Sequence, residues 1–275
     1  MVLIRVDDPG DPRLADYRGV AEPALLRRDG LLVAEGRQVV RVLLAAPRFR
    51  VRSLLLSEAA LAALDDLLAP RLPDIDVYLA PQAVFLPLTG FNINRGCLGI
   101  ACRPAPVRLD DWLAGDPGAR VLVAAEGIAN PDNLGGLFRN ALAFGADALL
   151  VGPSCSDPLY RKTIRVSMGA SLRVPFVEAV PWPECLKTLA ARGIAVIALT
   201  TDPAAVSIEE VARRRPGRFV LVAGSEGAGL TEAACAAATL SVRIPMALGV
   251  DSLNVATAAG IALHRLSGTG VPACP

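Results

Sequence analysis

Three short stretches hold the side chains best able to do chemistry. EGIANPDNLGGLFRNALAFGA (126–146) supplies Asn133 and Arg139. LVAGSEGAGL (221–230) supplies Gly224 and Glu226, and DSLNVATAAG (251–260) supplies Ser252 and Asn254. A guanidinium stays protonated and presents a fork of donors, which suits phosphate or a developing oxyanion. Amides and hydroxyls orient a polar ligand. Gly224, Gly227 and Gly229 let backbone N–H and C=O groups face one. Glu226, in their midst, opposes phosphate and suits a cationic or hydroxylated ligand. The loop is not a P-loop, because no Lys-Ser/Thr follows, and it is not G-x-G-x-x-G.

Each stretch has a plainer reading beside the functional one. Asn133 or Asp132 can cap a helix beginning at Leu134, and Ser252 can cap the last helix, with Asn254 in its first turn. Gly135 and Gly136 lower helix propensity by about 1 kcal/mol each relative to Ala, which points to close approach of another group. Helical spacing puts Arg139 on one face with them; it is either a substrate ligand or a snorkelling surface arginine. The 224–229 loop is either a ligand loop or an ordinary strand–helix turn.

The elements that must position these residues are short apolar blocks bounded by Gly, Pro and Asp. They read as buried parallel strands at 121–128, 148–153, 174–180, 194–201, 218–226 and 240–245. Helical stretches lie between and after them at 133–145, 158–169, 183–192, 207–214, 231–238 and 252–266. In such α/β sheets ligands bind beyond the C-terminal ends of the strands, so the loops after 121–128, 194–201, 218–226 and 240–245 are where a site is expected. Upstream, LLVAEG, VRSLLLS, DIDVYLA and CLGIACR read as strands, with RQVVRVLLAA and EAALAALDDLLA as helices, forming a small α/β domain. The Pro-, Asp- and Gly-rich run near 103–119 is the natural linker. The domains are therefore drawn as 1–105, a linker over 106–118, and 119–275.

Composition narrows the class. The 275 residues are 53% hydrophobic, so burying a core is not in doubt. Mean hydropathy is +0.44, yet no apolar run approaches the roughly 20 residues that span a bilayer. The N-terminus is charged too early for a signal peptide. Six cysteines form no C-x-x-C pair and His264 is the single histidine, so neither a zinc site nor a disulfide framework is expected. A cytoplasmic protein with reduced thiols and no metal follows. The net charge of +1 lends no support to a nucleic-acid partner. The basic clusters Arg48/Arg50/Arg52, Arg161/Lys162/Arg165 and Arg213/Arg214/Arg215 read as solvated faces.

Taken together, the three stretches resemble the SpoU/TrmH class of SPOUT RNA methyltransferases. PDN-L-G-G-L-F-R-N-A, GSEGAGL and IPM…SLNVATAAG fall in family order, and the likeness spans residues 119–267. Residues 20–105 are similar to the ribosomal-protein-like accessory domain of some members, although Asn94-Arg95-Gly96 stands where the family often has His-Gln-Gly.

The resemblance implies an α/β domain whose C-terminal segment threads a deep trefoil knot, and a homodimer. It implies S-adenosyl-L-methionine as cofactor, held at Leu199, Thr200, Gly224, Ile244 and Leu253. It further implies methyl transfer to a ribose 2′-hydroxyl of RNA, rRNA rather than tRNA. Arg139, Asn133, Glu226, Ser252 and Asn254 would form the catalytic set, with His264 outside it. The alternatives are a non-catalytic RNA-binding ribosome-assembly factor on the same fold and, far behind, a nicotinamide-dependent oxidoreductase.

Overall fold

The computed structural model describes residues 3–18, 20, 27, 29–68, 75–93, 96–115, 118, 121–214 and 216–267. Contacts group the chain into two units: Met1–Ala105 with Leu159–Arg173, and Pro106–Pro158 with Val174–Pro275.

In the first unit, alternating apolar stretches become β1 (Leu3–Arg5), β2 (Leu31–Glu35), β3 (Val51–Leu56), β4 (Asp76–Leu79) and β5 (Cys97–Cys102). They form a mixed sheet ordered β1-β4-β3-β5-β2, with β5 antiparallel to both neighbours. Helices Arg37–Ala45, Glu58–Leu68 and Gln82–Thr89 accompany it. Sequence reading missed β1 and the helix at Gln82, both short. Gly96, at φ +50°, is packed so closely that a Cβ there would meet Phe85 and Ser57 at 2.9 Å. Asn94 and Arg95 lie outside the described residues, as do Arg215 and Cys274.

The domain boundaries differ from the expected ones in two places. Helices Arg161–Val166 and Ala170–Arg173 group with the first unit, because Glu35 at the end of β2 accepts from the guanidinium of Arg161. Arg161 also lies 4.1 Å over the ring of Phe91, and Arg165 reaches Glu35 at 3.4 Å. The pairing joins residues 126 apart, beyond the reach of any local pattern. The second difference is the helix Leu109–Ala114 within the segment read as a linker.

Nor are two of the basic clusters simply solvated. Arg161 is largely buried in the contacts just described. Arg48 donates to the carbonyl of Ser171 at 2.8 Å, and burial pulls its pKa down to about 10.

In the second unit the apolar blocks become β6 (Val121–Ala125), β7 (Ala148–Val151), β8 (Phe176–Glu178), β9 (Ala195–Leu199), β11 (Phe219–Ala223) and β12 (Leu240–Arg243). A two-residue edge strand, β10 (Val206–Ser207), was not anticipated. All pair in parallel, in the order β10-β12-β9-β11-β6-β7-β8. Strands buried on both faces explain the unbroken apolar runs. Their inward residues, among them Leu122, Leu150, Val196 and Val222, pack with Leu186 and Leu189 of the Glu184–Ala191 helix. The four strands whose following loops were expected to hold a site, β12, β9, β11 and β6, stand side by side in the sheet.

Candidate active site

The loop after β11 is built by a steric constraint. A Cβ on Gly224 would lie 2.3 Å from the carbonyl carbon of Gly229, so the chain can fold back there only without a side chain. Ser225 and Gly229 close the loop by donating to each other's carbonyls at 3.2 and 3.0 Å. Two residues on, Thr231 caps the following helix by accepting from the N–H of Ala234.

The last helix starts later than its sequence suggests. It runs Val255–Leu266, and Asn254 is its N-cap, not Ser252. The Asn254 Oδ1 accepts from the N–H groups of Ala256 (3.0 Å) and Thr257 (3.2 Å). Both residue types suit a cap, and only the path of the preceding loop decides between them. Ser252 is left exposed ahead of the helix. The earlier helix likewise begins at Pro131 with Asn130 as its cap, accepting from Asp132 at 2.9 Å, rather than at Leu134 with Asp132 or Asn133. Proline at the first helical position fits this start.

The two helices pack face to face. A Cβ on Gly136 would stand 2.6 Å from that of Ala256, and Asn140 donates to the Ala256 carbonyl at 2.5 Å. This approach brings three distant segments together. The Asn254 Nδ2 donates to Asn133 Oδ1 at 2.8 Å and to Glu226 Oε1 at 2.5 Å. Asn133 is only 8% exposed, whereas Glu226 and Asn254 are open to solvent.

Beside this cluster lies a cavity of about 450 Å³, within the range of small-molecule sites. Leu199, Thr200, Gly224, Ile244 and Leu253 all line it, as do Glu226 and Ser252. Among the described residues, its charged lining side chains are Glu226 and Asp251. Cys235 also faces it, and burial raises that thiol's pKa. Arg139 does not line this cavity. It is exposed and borders a neighbouring groove of about 510 Å³ with Gly136, Asn140, Thr257, Ile261 and His264. Gly135 and Gly136 both lie one turn before Arg139 on the same helix, but Gly136 borders the groove while Gly135 is buried. His264 lies edge-on to Phe144, with ring centroids 5.7 Å apart.

Sequence reading passed over Glu126. It is 5% exposed and accepts three hydrogen bonds: from Trp182 Nε1 (2.5 Å), the Thr231 N–H (2.9 Å) and Thr231 Oγ1 (2.9 Å). A carboxylate directly after the apolar run VLVAA, at the C-terminal end of a buried parallel strand, was the available signal.

A parallel sheet with a small-molecule cavity beyond its strand ends, rimmed by amides and carboxylates, defines an α/β ligand-binding domain. Residues 120–264 match the model of the SpoU rRNA methylase family, and the chain belongs to that family. It is 40% identical over 271 residues to an uncharacterized tRNA/rRNA methyltransferase of Mycobacterium tuberculosis strain H37Rv, covering 96% of this chain and 92% of the relative. Among solved structures, an RNA 2′-O ribose methyltransferase is 27% identical with a TM-score of 0.75, covering 96% of this chain and 98% of that one. An AdoMet-bound rRNA methyltransferase from Sinorhizobium meliloti shares the fold, with a TM-score of 0.81 at 24% identity, covering 96% of this chain and 97% of that one.

Proposed function

We propose that this methyltransferase moves a methyl group from S-adenosyl-L-methionine to a ribose 2′-hydroxyl of RNA, rRNA rather than tRNA. The observation that carries the reading is the meeting of Asn133, Glu226 and Asn254 through one amide, beside the 450 Å³ cavity.

The cavity suits the cofactor in size and chemistry. Its turn at Gly224 offers bare backbone, and its two carboxylates match a cation. Leu199, Thr200, Gly224, Ile244 and Leu253 would hold the cofactor, largely through main-chain groups. When bound, S-adenosylmethionine supplies an electrophilic methyl on a positively charged sulfur.

The chain's own task is placement. Holding an acceptor oxygen in line can lower a barrier of this kind by up to about 7–11 kcal/mol. Asn133 and Ser252 orient the acceptor; Asn254, whose amide is filled by Asn133, Glu226 and two helix N–H groups, positions Asn133, and Glu226 fixes that amide. Arg139 cannot serve as a base, because its guanidinium does not lose a proton. It would hold phosphate and stabilise the alkoxide that develops as the 2′-hydroxyl proton passes to water and the oxygen takes the methyl, with S-adenosylhomocysteine as the leaving group. We read the face carrying Arg139 as the contact of a homodimer. The C-terminal segment is read as threading a trefoil knot, and residues 1–105 as the accessory RNA-binding domain.

Incubation of the protein with labelled S-adenosylmethionine and purified rRNA or tRNA tests the reading. Label should enter rRNA at a linkage that then resists alkali, as a 2′-O-methylated one does. Label confined to a base, or no transfer by protein that binds the cofactor, defeats it; the latter favours an RNA-binding assembly factor.

A further inference from the structure

Glu126 touches both ends of the loop that forms one wall of the cavity. Its backbone N–H donates to the carbonyl of Ala223, the residue before Gly224, at 3.0 Å. Its side chain accepts from Thr231, the residue after Leu230, through both the N–H and the hydroxyl. Gly224 and Leu230 both line the cavity. One residue at another strand's end, 105 positions from Thr231, thus ties together the two flanks of the loop that Ser225 and Gly229 close.

The carboxylate is matched to this duty. Oε2 takes the Thr231 N–H, while Oε1 takes the Thr231 hydroxyl and the indole N–H of Trp182. All three neighbours present hydrogens, since the Thr231 oxygen is itself occupied in accepting from Ala234. An amide cannot replace the carboxylate: either orientation of a glutamine turns an NH₂ toward a donor. Charge-assisted bonds of this kind are also stronger than neutral ones.

We propose that Glu126 is a positioning residue for cofactor binding, acting through Thr231 to hold the 224–230 loop against the cofactor. The inference rests on the reading of the cavity as the S-adenosylmethionine site. Glu126 does not line that cavity, so its effect is on the wall and not on direct contact.

Calorimetry with S-adenosylmethionine on the full-length protein tests it, together with steady-state methyl transfer. Glu126→Gln should weaken binding and raise the KM for the cofactor about tenfold, with kcat at saturating cofactor within about twofold. Thr231→Ser keeps both donors and should bind as the unaltered protein does. Thr231→Val removes only the hydroxyl and should weaken binding less than Glu126→Gln; this variant carries the test if Glu126→Gln fails to fold. Unchanged binding in a folded Glu126→Gln or Thr231→Val protein overturns the inference while leaving the cavity assignment standing. A fall in kcat with KM unchanged also overturns it. If the unaltered protein itself fails to bind S-adenosylmethionine, the cavity assignment falls and takes this inference with it.

Discussion

Gly136 and Ala256 stand so close that a Cβ added to the glycine would lie 2.6 Å from the Cβ of the alanine. The contact is the point where the Pro131–Ala143 and Val255–Leu266 helices meet, a few residues from the amides of Asn133 and Asn254. Interhelix separation there sets whether the two amides can bond.

Gly136→Ala should therefore destabilise the protein, although alanine gains about 1 kcal/mol in helix propensity. Overpacking costs about 1–3 kcal/mol, and the clash is between a fixed Cβ and another. Urea unfolding should show a net loss, and Gly136→Ala/Ala256→Gly should recover most of it. Gly260→Ala should be milder, because its nearest neighbour is the movable side chain of Asn140 at 3.0 Å.

Asn254 caps a helix with its oxygen and bonds Asn133 and Glu226 with its nitrogen. Asn254→Ala should lose about 1 kcal/mol from the cap alone, and methyl transfer with it. Asn254→Ser restores a cap but not the two-hydrogen amide that bridges Asn133 and Glu226, so thermal stability should return while transfer stays low. Recovery of both would remove the Asn133–Asn254–Glu226 cluster from the mechanism.

Arg139 lies outside the 450 Å³ cavity proposed for the cofactor. Arg139→Ala should lower kcat by about a hundredfold or more, the scale of losing one transition-state donor. Calorimetric affinity for S-adenosylmethionine should stay within about threefold, since no cofactor contact is removed. Loss of cofactor affinity instead would assign the guanidinium to the donor side of the reaction.

Burial holds the Cys97 thiol up at about 12 and that of Cys185 at about 11, against an ordinary 9.0. Above the ordinary value the unfolded chain loses protons that the folded chain keeps. Stability present below that pH should fall as the pH rises toward 11 and 12, by up to about 1.4 kcal/mol per pH unit for each thiol. Urea unfolding between pH 8 and 10.5 should show this slope, and Cys97→Ala/Cys185→Ala should flatten it. An unchanged slope would place the alkaline loss on other groups, such as buried Tyr17.

The second unit's strands were legible because burial on both faces leaves an uninterrupted apolar run, as in FVLVA. The cavity's lining was legible through a resemblance, from motifs such as GSEGAGL, while its steric cause at Gly224 needed coordinates. Caps were misplaced by two or three residues, since neighbouring residues such as Ser252 and Asn254 satisfy the same local rule. Glu126 went unnoticed because its partners, Trp182 and Thr231, lie far along the chain. The seat of Arg161 on Glu35 escaped for the same reason.

Because Leu159–Arg173 groups with Met1–Ala105, neither unit is one uninterrupted length of polypeptide. A gene cut after codon 105 would encode the first unit without its two borrowed helices. The downstream fragment would display Arg161 and Arg165 with no Glu35 to receive them. Grafting either unit whole onto another protein would thus mean moving two separate stretches of sequence.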